Sequence, residues 1–178
     1  MEKKPVRFTV DWELFNSYDH WSQWDANSHI DEPTMYLLDL LRRHQIKAIF
    51  YCVGWLEDNR TDLYDKIRSE GHIMGDHTYY HRTGSHLVRN VDVPYRAPRW
   101  QGEKRLFSGG FWFRLLPYWW IKKEVEKTGV FFVHPHDVLL EHPECGIRTF
   151  DRSIGLKTSR DKLERLCREV NFSEPKVS

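Results

Sequence analysis

The chain has 178 residues, 40% of them hydrophobic, enough for one domain with its own core. Lysine and arginine number 27 against 26 acidic residues, a formal charge of +1, so there is no basic field of the kind that binds phosphate backbones, and nucleic acid is not an expected partner. No apolar run reaches the length of a membrane span, and the start "MEKKPVRFTVDW" has no long apolar stretch of the signal-peptide type. Cys52, Cys145 and Cys167 have no CxxC spacing, which argues against a disulfide framework or a thiolate zinc site and makes a reducing cytoplasm the expected compartment. Eight tryptophans, eight tyrosines and ten phenylalanines suit a thick core or a carbohydrate cleft.

The first predicted element is a strand over residues 6 to 12, "VRFTVDW", which alternates and is rich in β-branched and aromatic side chains. Asp31 is followed by "EPTMYLLDLLRRHQI", with Leu37, Leu38, Leu40 and Leu41 on one face and Pro33 near the first turn, the pattern of a helix. "KAIFYCVG" is a nearly continuous apolar run, as expected of a strand buried on both sides of a parallel sheet. A second helix is predicted from Leu56 to Ser69, ending at Gly71, with "HIMGDH" as the third strand. This β-α-β-α-β order implies parallel crossovers and an α/β sheet or barrel.

After His81 turn residues interrupt the rhythm, with "VPYRAP" as a candidate strand end. "FWFRLLPYWWIKKEVEKTG" predicts a helix that Pro117 kinks or starts. "VFFVHPHD" predicts a buried strand ending in a polar cluster, and "TSRDKLERLCREV" a final amphipathic helix capped by Thr158 or Ser159. The tail "SEPKVS" is expected to fray.

In parallel α/β folds chemistry collects beyond the carboxyl ends of the strands. Four predicted strands here end in suitable groups: Asp11 with Glu13, His77 with His81, Arg96, and His134 with His136. His77 and His81 are four apart, so on one helical face both imidazoles can reach one ion. Adding a carboxylate gives a two-histidine, one-carboxylate set with open positions, compatible with zinc, iron, cobalt or nickel. Taken singly, a strand-end aspartate is as readily a helix cap and HxxxH a pair of solvated histidines; the coincidence of all four clusters favours chemistry.

The motifs "FTVDWE", "GDHTYYH", "YRAP" and "FFVHPHD", in that order, resemble the polysaccharide deacetylase family, the NodB-homology or carbohydrate esterase family 4 group. The likeness is nearest to cytoplasmic-type members with "VDxE" and "HP" motifs. "SGGFWFRLLPYW" and "GLKTSRDKLERL" resemble the same subgroup, and the likeness runs from about Phe8 to Phe172, nearly the whole chain as one domain. The resemblance implies a distorted (β/α) barrel that removes acetyl groups from N-acetylated sugars or glycan intermediates with one divalent ion, zinc by preference and cobalt, nickel or iron as alternatives. It assigns His77 and His81 as ligands together with an acid of the first motif. Trp12 stands where the family usually has a second adjacent aspartate, so Glu13 becomes the ligand candidate and Asp11 the base; the reverse, with Asp11 as ligand, stays open. Arg96 matches the arginine that orients the catalytic aspartate, and His134 the general acid, with His136 a weaker candidate.

Two spacings are short for the family: His81 and Arg96 are only fifteen positions apart, and "RAPRW" runs almost directly into "QGEKRLFSGG". Either the barrel is incomplete in its middle or an internal stretch is absent from the sequence; the intact motifs on both sides favour the second. Two other functions compete with glycan deacetylation. One is hydrolysis of a small amide, as in allantoinase-like relatives, and the other is an inactive carbohydrate-binding barrel. Trp100, Trp112, Trp119 and Trp120 could form a sugar-stacking wall, although core positions are expected for at least two, and "DHWSQWD" is expected to line the cleft mouth. Lys122, Lys123, Lys127, Glu124 and Glu126 form an expected solvated helix face. The oligomeric state is not legible.

Overall fold

The computed structural model describes residues 5–14, 29–80, 92, 109–140 and 154–175. Four strands form one parallel sheet: β1 (Arg7–Trp12), β2 (Ile49–Cys52), β3 (Ile73–Asp76) and β4 (Val130–Val133), in the order β3-β2-β1-β4. The registers align their carboxyl ends, with Trp12 beside Cys52, Cys52 beside Asp76, and Val10 beside Val133. Both faces of β1 are covered, since Phe8, Val10 and Trp12 are buried on one side and Thr9 on the other, where its hydroxyl donates to the Phe131 carbonyl at 3.1 Å. This is the α/β architecture expected, and four parallel strands with helical crossovers are consistent with a distorted barrel of NodB type.

Helix α1 (Asp31–Arg43) starts with Asp31 and Glu32 and ends with Arg42 and Arg43, charges that suit both ends of its dipole. Leu37, Leu38, Leu40 and Leu41 are all buried in the hydrophobic core. The helix predicted from Leu56 to Ser69 is instead two, α2 (Gly54–Asn59) and α3 (Thr61–Ser69). Arg60 breaks them: its backbone leaves the helical region (φ −135°, ψ 51°), while its buried guanidinium pairs with Asp62 and Asp31. Similarly, α4 (Gly110–Leu115) and α5 (Tyr118–Thr128) replace one predicted helix, and Pro117 precedes α5 in an extended conformation, as its lack of an N–H favours.

The last helix, α6 (Leu156–Glu169), begins before the predicted caps. Gly155 precedes it at φ 72°, and a Cβ there would sit 2.2 Å from the Arg114 carbonyl oxygen, so the close approach requires glycine. Thr158 and Ser159 lie inside the first turn, their hydroxyls donating to the carbonyls of Gly155 and Leu156. The start of the tail is tied down, because the Ser173 amide donates to the Val6 carbonyl at 2.9 Å and Phe172 bridges to Val6. Phe8, Phe131, Phe113 and Phe172 form the aromatic centre of the core, with Phe8 edge-on to Phe131 at 5.1 Å. No helix among the described residues is long and apolar enough to cross a membrane.

Candidate active site

Three strands deliver polar side chains to one end of the sheet. Trp12 closes β1 by turning into the core, where its indole N–H donates to Thr34 Oγ1 at 2.9 Å. Asp11 and Glu13 on either side of it share the opposite space: His134 Nε2 is 3.7 Å from Asp11 Oδ2 and 3.7 Å from Glu13 Oε1. Glu13 is buried, with 3% of its side chain exposed, while Asp11 keeps 23%. His77 follows β3, its amide donating to the Cys52 carbonyl, and its Nε2 lies 3.4 Å from Glu13 Oε2. Thr78 next to it has φ 61°, an uncommon conformation for a threonine, and its amide donates to Asp76 Oδ1 at 2.7 Å.

The predicted Asp11, Glu13, His77 and His134 are therefore brought together, whereas His81, Arg96, Trp100 and "DHWSQWD" lie outside the described residues. His136 stacks on His134, ring centroids 4.6 Å apart and planes 14° from parallel. Of the four tryptophans considered for a sugar-stacking wall, Trp119 and Trp112 are exposed and Trp120 packs against the core, while Trp100 lies outside the described residues. On α5, Lys122 pairs with Glu126 and Lys127 with Glu124, and of the charged face expected to be solvated only Lys123 and Lys127 are exposed, the other three being half-buried.

Two residues that sequence reasoning missed complete the cluster. A 3₁₀ turn, Pro135–Val138, follows His134, and Asp137 on it is fully buried. Asp137 Oδ2 accepts both the His134 backbone N–H and the ring Nδ1–H, each at 2.9 Å, and Oδ1 accepts Arg114 Nε–H at 2.9 Å. The aspartate three places beyond His134 and the lone charge in the apolar run "FWFRLL" were the available signals. His134, His136 and Asp137 lie close enough together to suggest a cation site, yet Asp137 Oδ2 already accepts from the His134 backbone and ring and Oδ1 from Arg114.

Charge states follow from these contacts. Burial disfavours a charged His134, but the hydrogen bond and charge of Asp137, with Glu13 and Asp11 nearby, outweigh it and raise its pKa to about 9. His136, desolvated and beside that imidazolium, is lowered to about 4 and stays neutral. Burial pushes Asp137 up, but the His134 hydrogen bond and the neighbouring imidazoles and Arg114 hold it well below the usual carboxylate range. His77 is raised, because Glu13 and Asp11 offset its burial.

The donor chemistry fits a divalent cation. Two ligand atoms about 2.1 Å from a tetrahedral ion lie about 3.4 Å apart, and Glu13 Oε2 and His77 Nε2 have that 3.4 Å spacing.

Two family models match the chain: one described as a domain of unknown function (DUF3473) over residues 70–177, the other as polysaccharide deacetylase over residues 17–97. Asp11 and Glu13 precede both. Over 50 residues the chain is 38% identical to a peptidoglycan-N-acetylglucosamine deacetylase of Bacillus cereus, covering 28% of this chain and 18% of that protein. Over 55 residues it is 29% identical to the peptidoglycan-N-acetylmuramic acid deacetylase PdaA of Bacillus subtilis, covering 31% of this chain and 21% of that one. The matched stretches thus span about a fifth of these relatives' own lengths. The crystal structure of the Bc1960 peptidoglycan N-acetylglucosamine deacetylase aligns with a TM-score of 0.40 at 15% identity, over 97% of this chain and 86% of that chain.

Proposed function

We propose that this chain, which belongs to the family described as DUF3473 and matches the polysaccharide deacetylase family over residues 17–97, is a metal-dependent hydrolase removing N-acetyl groups from a carbohydrate or glycan. The observation that carries this reading is the meeting of a buried carboxylate, a more exposed carboxylate and two imidazoles at the carboxyl ends of β1, β3 and β4. Glu13 and His77, with His81, would hold the ion; Glu13 is preferred over Asp11 because it is the acid within 3.4 Å of His77. A divalent ion bound there supplies Lewis-acid polarisation of the acyl group and lowers the pKa of water, toward about 7 for zinc.

Asp11, the more exposed acid, takes a proton from the attacking water, and the family resemblance gives Arg96 the task of orienting it. His134 faces the same space with Nε2, protonated at neutral pH, and donates to the leaving nitrogen, which departs poorly as an anion. Base and acid sit 3.7 Å apart before substrate enters, so the scissile amide must part them on binding. Each proton transfer is worth roughly 100- to 10,000-fold in rate.

Acetate release from chitooligosaccharides by the zinc-loaded chain, run beside small linear and cyclic amides, tests the reading. Faster turnover of the oligosaccharides is expected. Turnover of small amides alone would replace the substrate class, and no acetate from any N-acetyl sugar with zinc bound would overturn the proposal.

A further inference from the structure

Resting on the reading of His134 as proton donor, we infer that Arg114 and Asp137 are positioning residues: the Arg114-clamped carboxylate of Asp137 holds the His134 ring by Nδ1 and directs Nε2 between Asp11 and Glu13. The hold is two-point. A single oxygen, Asp137 Oδ2, fixes the backbone and the ring of His134 together, so the imidazole cannot turn about its side-chain bonds without breaking a bond at 2.9 Å. Asp137 is in turn fixed by Arg114, only 6% exposed, whose Nη1 also donates to the Ile154 carbonyl at 3.3 Å.

Arg114 is itself anchored. Lys162 of α6 donates to the carbonyls of Arg114 and Leu116 at 2.7 and 2.9 Å, holding the end of α4, and Gly155 lies against the Arg114 carbonyl. At the other end of α4, a Cβ on Gly110 would be 3.4 Å from His134 Cε1. One short helix therefore lines the ring and supplies the arginine that clamps its partner. Stability does not account for the pair, because a buried ion pair is often replaceable by apolar residues at no cost. Orientation of a proton donor is what an apolar pair would not provide. The 3₁₀ turn has a reciprocal capping box between His134 and Asp137, but the Arg114 guanidinium that clamps Asp137 has no part in that cap.

The test uses the full zinc-loaded chain. Removing one charge alone would strand the other in the core, so the substitutions are paired. Arg114→Met with Asp137→Ala removes the acceptor, whereas Arg114→Gln with Asp137→Asn keeps a neutral acceptor for Nδ1–H. The first pair should lower kcat about 100-fold with KM within about twofold, and the second, whose amide oxygen can still accept Nδ1–H, should retain about tenfold more kcat than the first. Long-range proton–nitrogen NMR of the His134 ring supplies a readout independent of turnover. A protected Nδ1 proton should be present in the parent and the Gln/Asn pair and lost in the Met/Ala pair.

Near-parental kcat in a folded Met/Ala pair, or an unprotected Nδ1 proton in the parent, would overturn the inference. His134→Ala separates the two claims. Full turnover in that variant removes the proton-donor reading whatever the NMR shows, whereas its loss of turnover beside a fully active Met/Ala pair removes the positioning role alone.

Discussion

Asp11 and Glu13 differ by one methylene and two positions, yet their surroundings differ: Glu13 is buried beside His77, while Asp11 keeps 23% of its side chain exposed, and the proposed division into ligand and base rests on that contrast. Glu13→Gln should therefore weaken zinc binding in calorimetry by more than the roughly 10- to 100-fold typical of changes to outer-shell groups. Asp11→Asn should leave zinc affinity in place while lowering kcat by about 100-fold or more. If the two variants exchange these phenotypes, the assignments are reversed. "VDWE" showed both acids in the sequence, but only the burial of Trp12 and the distances from His77 and His134 rank them. Asp137 was hidden for a related reason: its importance lies in a partner, Arg114, 23 positions away. A second residue-scale prediction concerns His72, whose Nδ1 accepts the Ala48 N–H and whose pKa burial lowers from 6.5 to about 4. The native state favours the neutral ring, so its contribution is complete above pH 6.5 and is lost as pH falls toward 4. That loss is roughly 3 kcal/mol at most. Urea midpoints of the parent should fall across this window more steeply than those of His72→Gln, and parallel curves would refute the assignment.

At the level of elements, the apolar pattern of the strands was legible because a parallel strand covered on both faces has to be apolar throughout. Helix boundaries were not. "LEDNRTDLYDKIRS" carries an unbroken helical rhythm, and the break at Arg60 comes from long-range pairing with Asp31, which periodicity does not register. The start of α6 was misplaced because Thr158 and Ser159 are good caps locally, whereas Gly155 is dictated by the nearby Arg114 carbonyl. Gly155→Ala should accordingly lower Tm, by an amount corresponding to more than about 1 kcal/mol. The junction between α4 and α6 offers a parallel case. Lys162→Met removes the ammonium donor to the Arg114 and Leu116 carbonyls and should cost about 1–3 kcal/mol in thermal or urea unfolding. Zinc affinity should stay unchanged in that variant, since α4 carries no proposed ligand.

Across the whole molecule, aligned carboxyl ends explain why residues from 11 to 137 in the sequence meet in one place. The central position of β1, hydrogen-bonded to β2 on one side and β4 on the other, puts the acids between the histidines that follow β3 and β4. The sheet joins both matched segments, β2 within the polysaccharide deacetylase match and β4 within the DUF3473 match, through a β1 that precedes both. The Phe8–Phe131 contact is the packing seam of that junction, and Phe131→Ala should cost about 3–5 kcal/mol in a urea melt. The most direct test of the account is acetate release from an N-acetylated oligosaccharide by the chelator-stripped chain as zinc is added back. Release should be negligible without zinc and rise to a plateau at one equivalent per chain. Release that is indifferent to zinc, or absent at saturation, would contradict a metal-dependent deacetylase site built on Glu13 and His77.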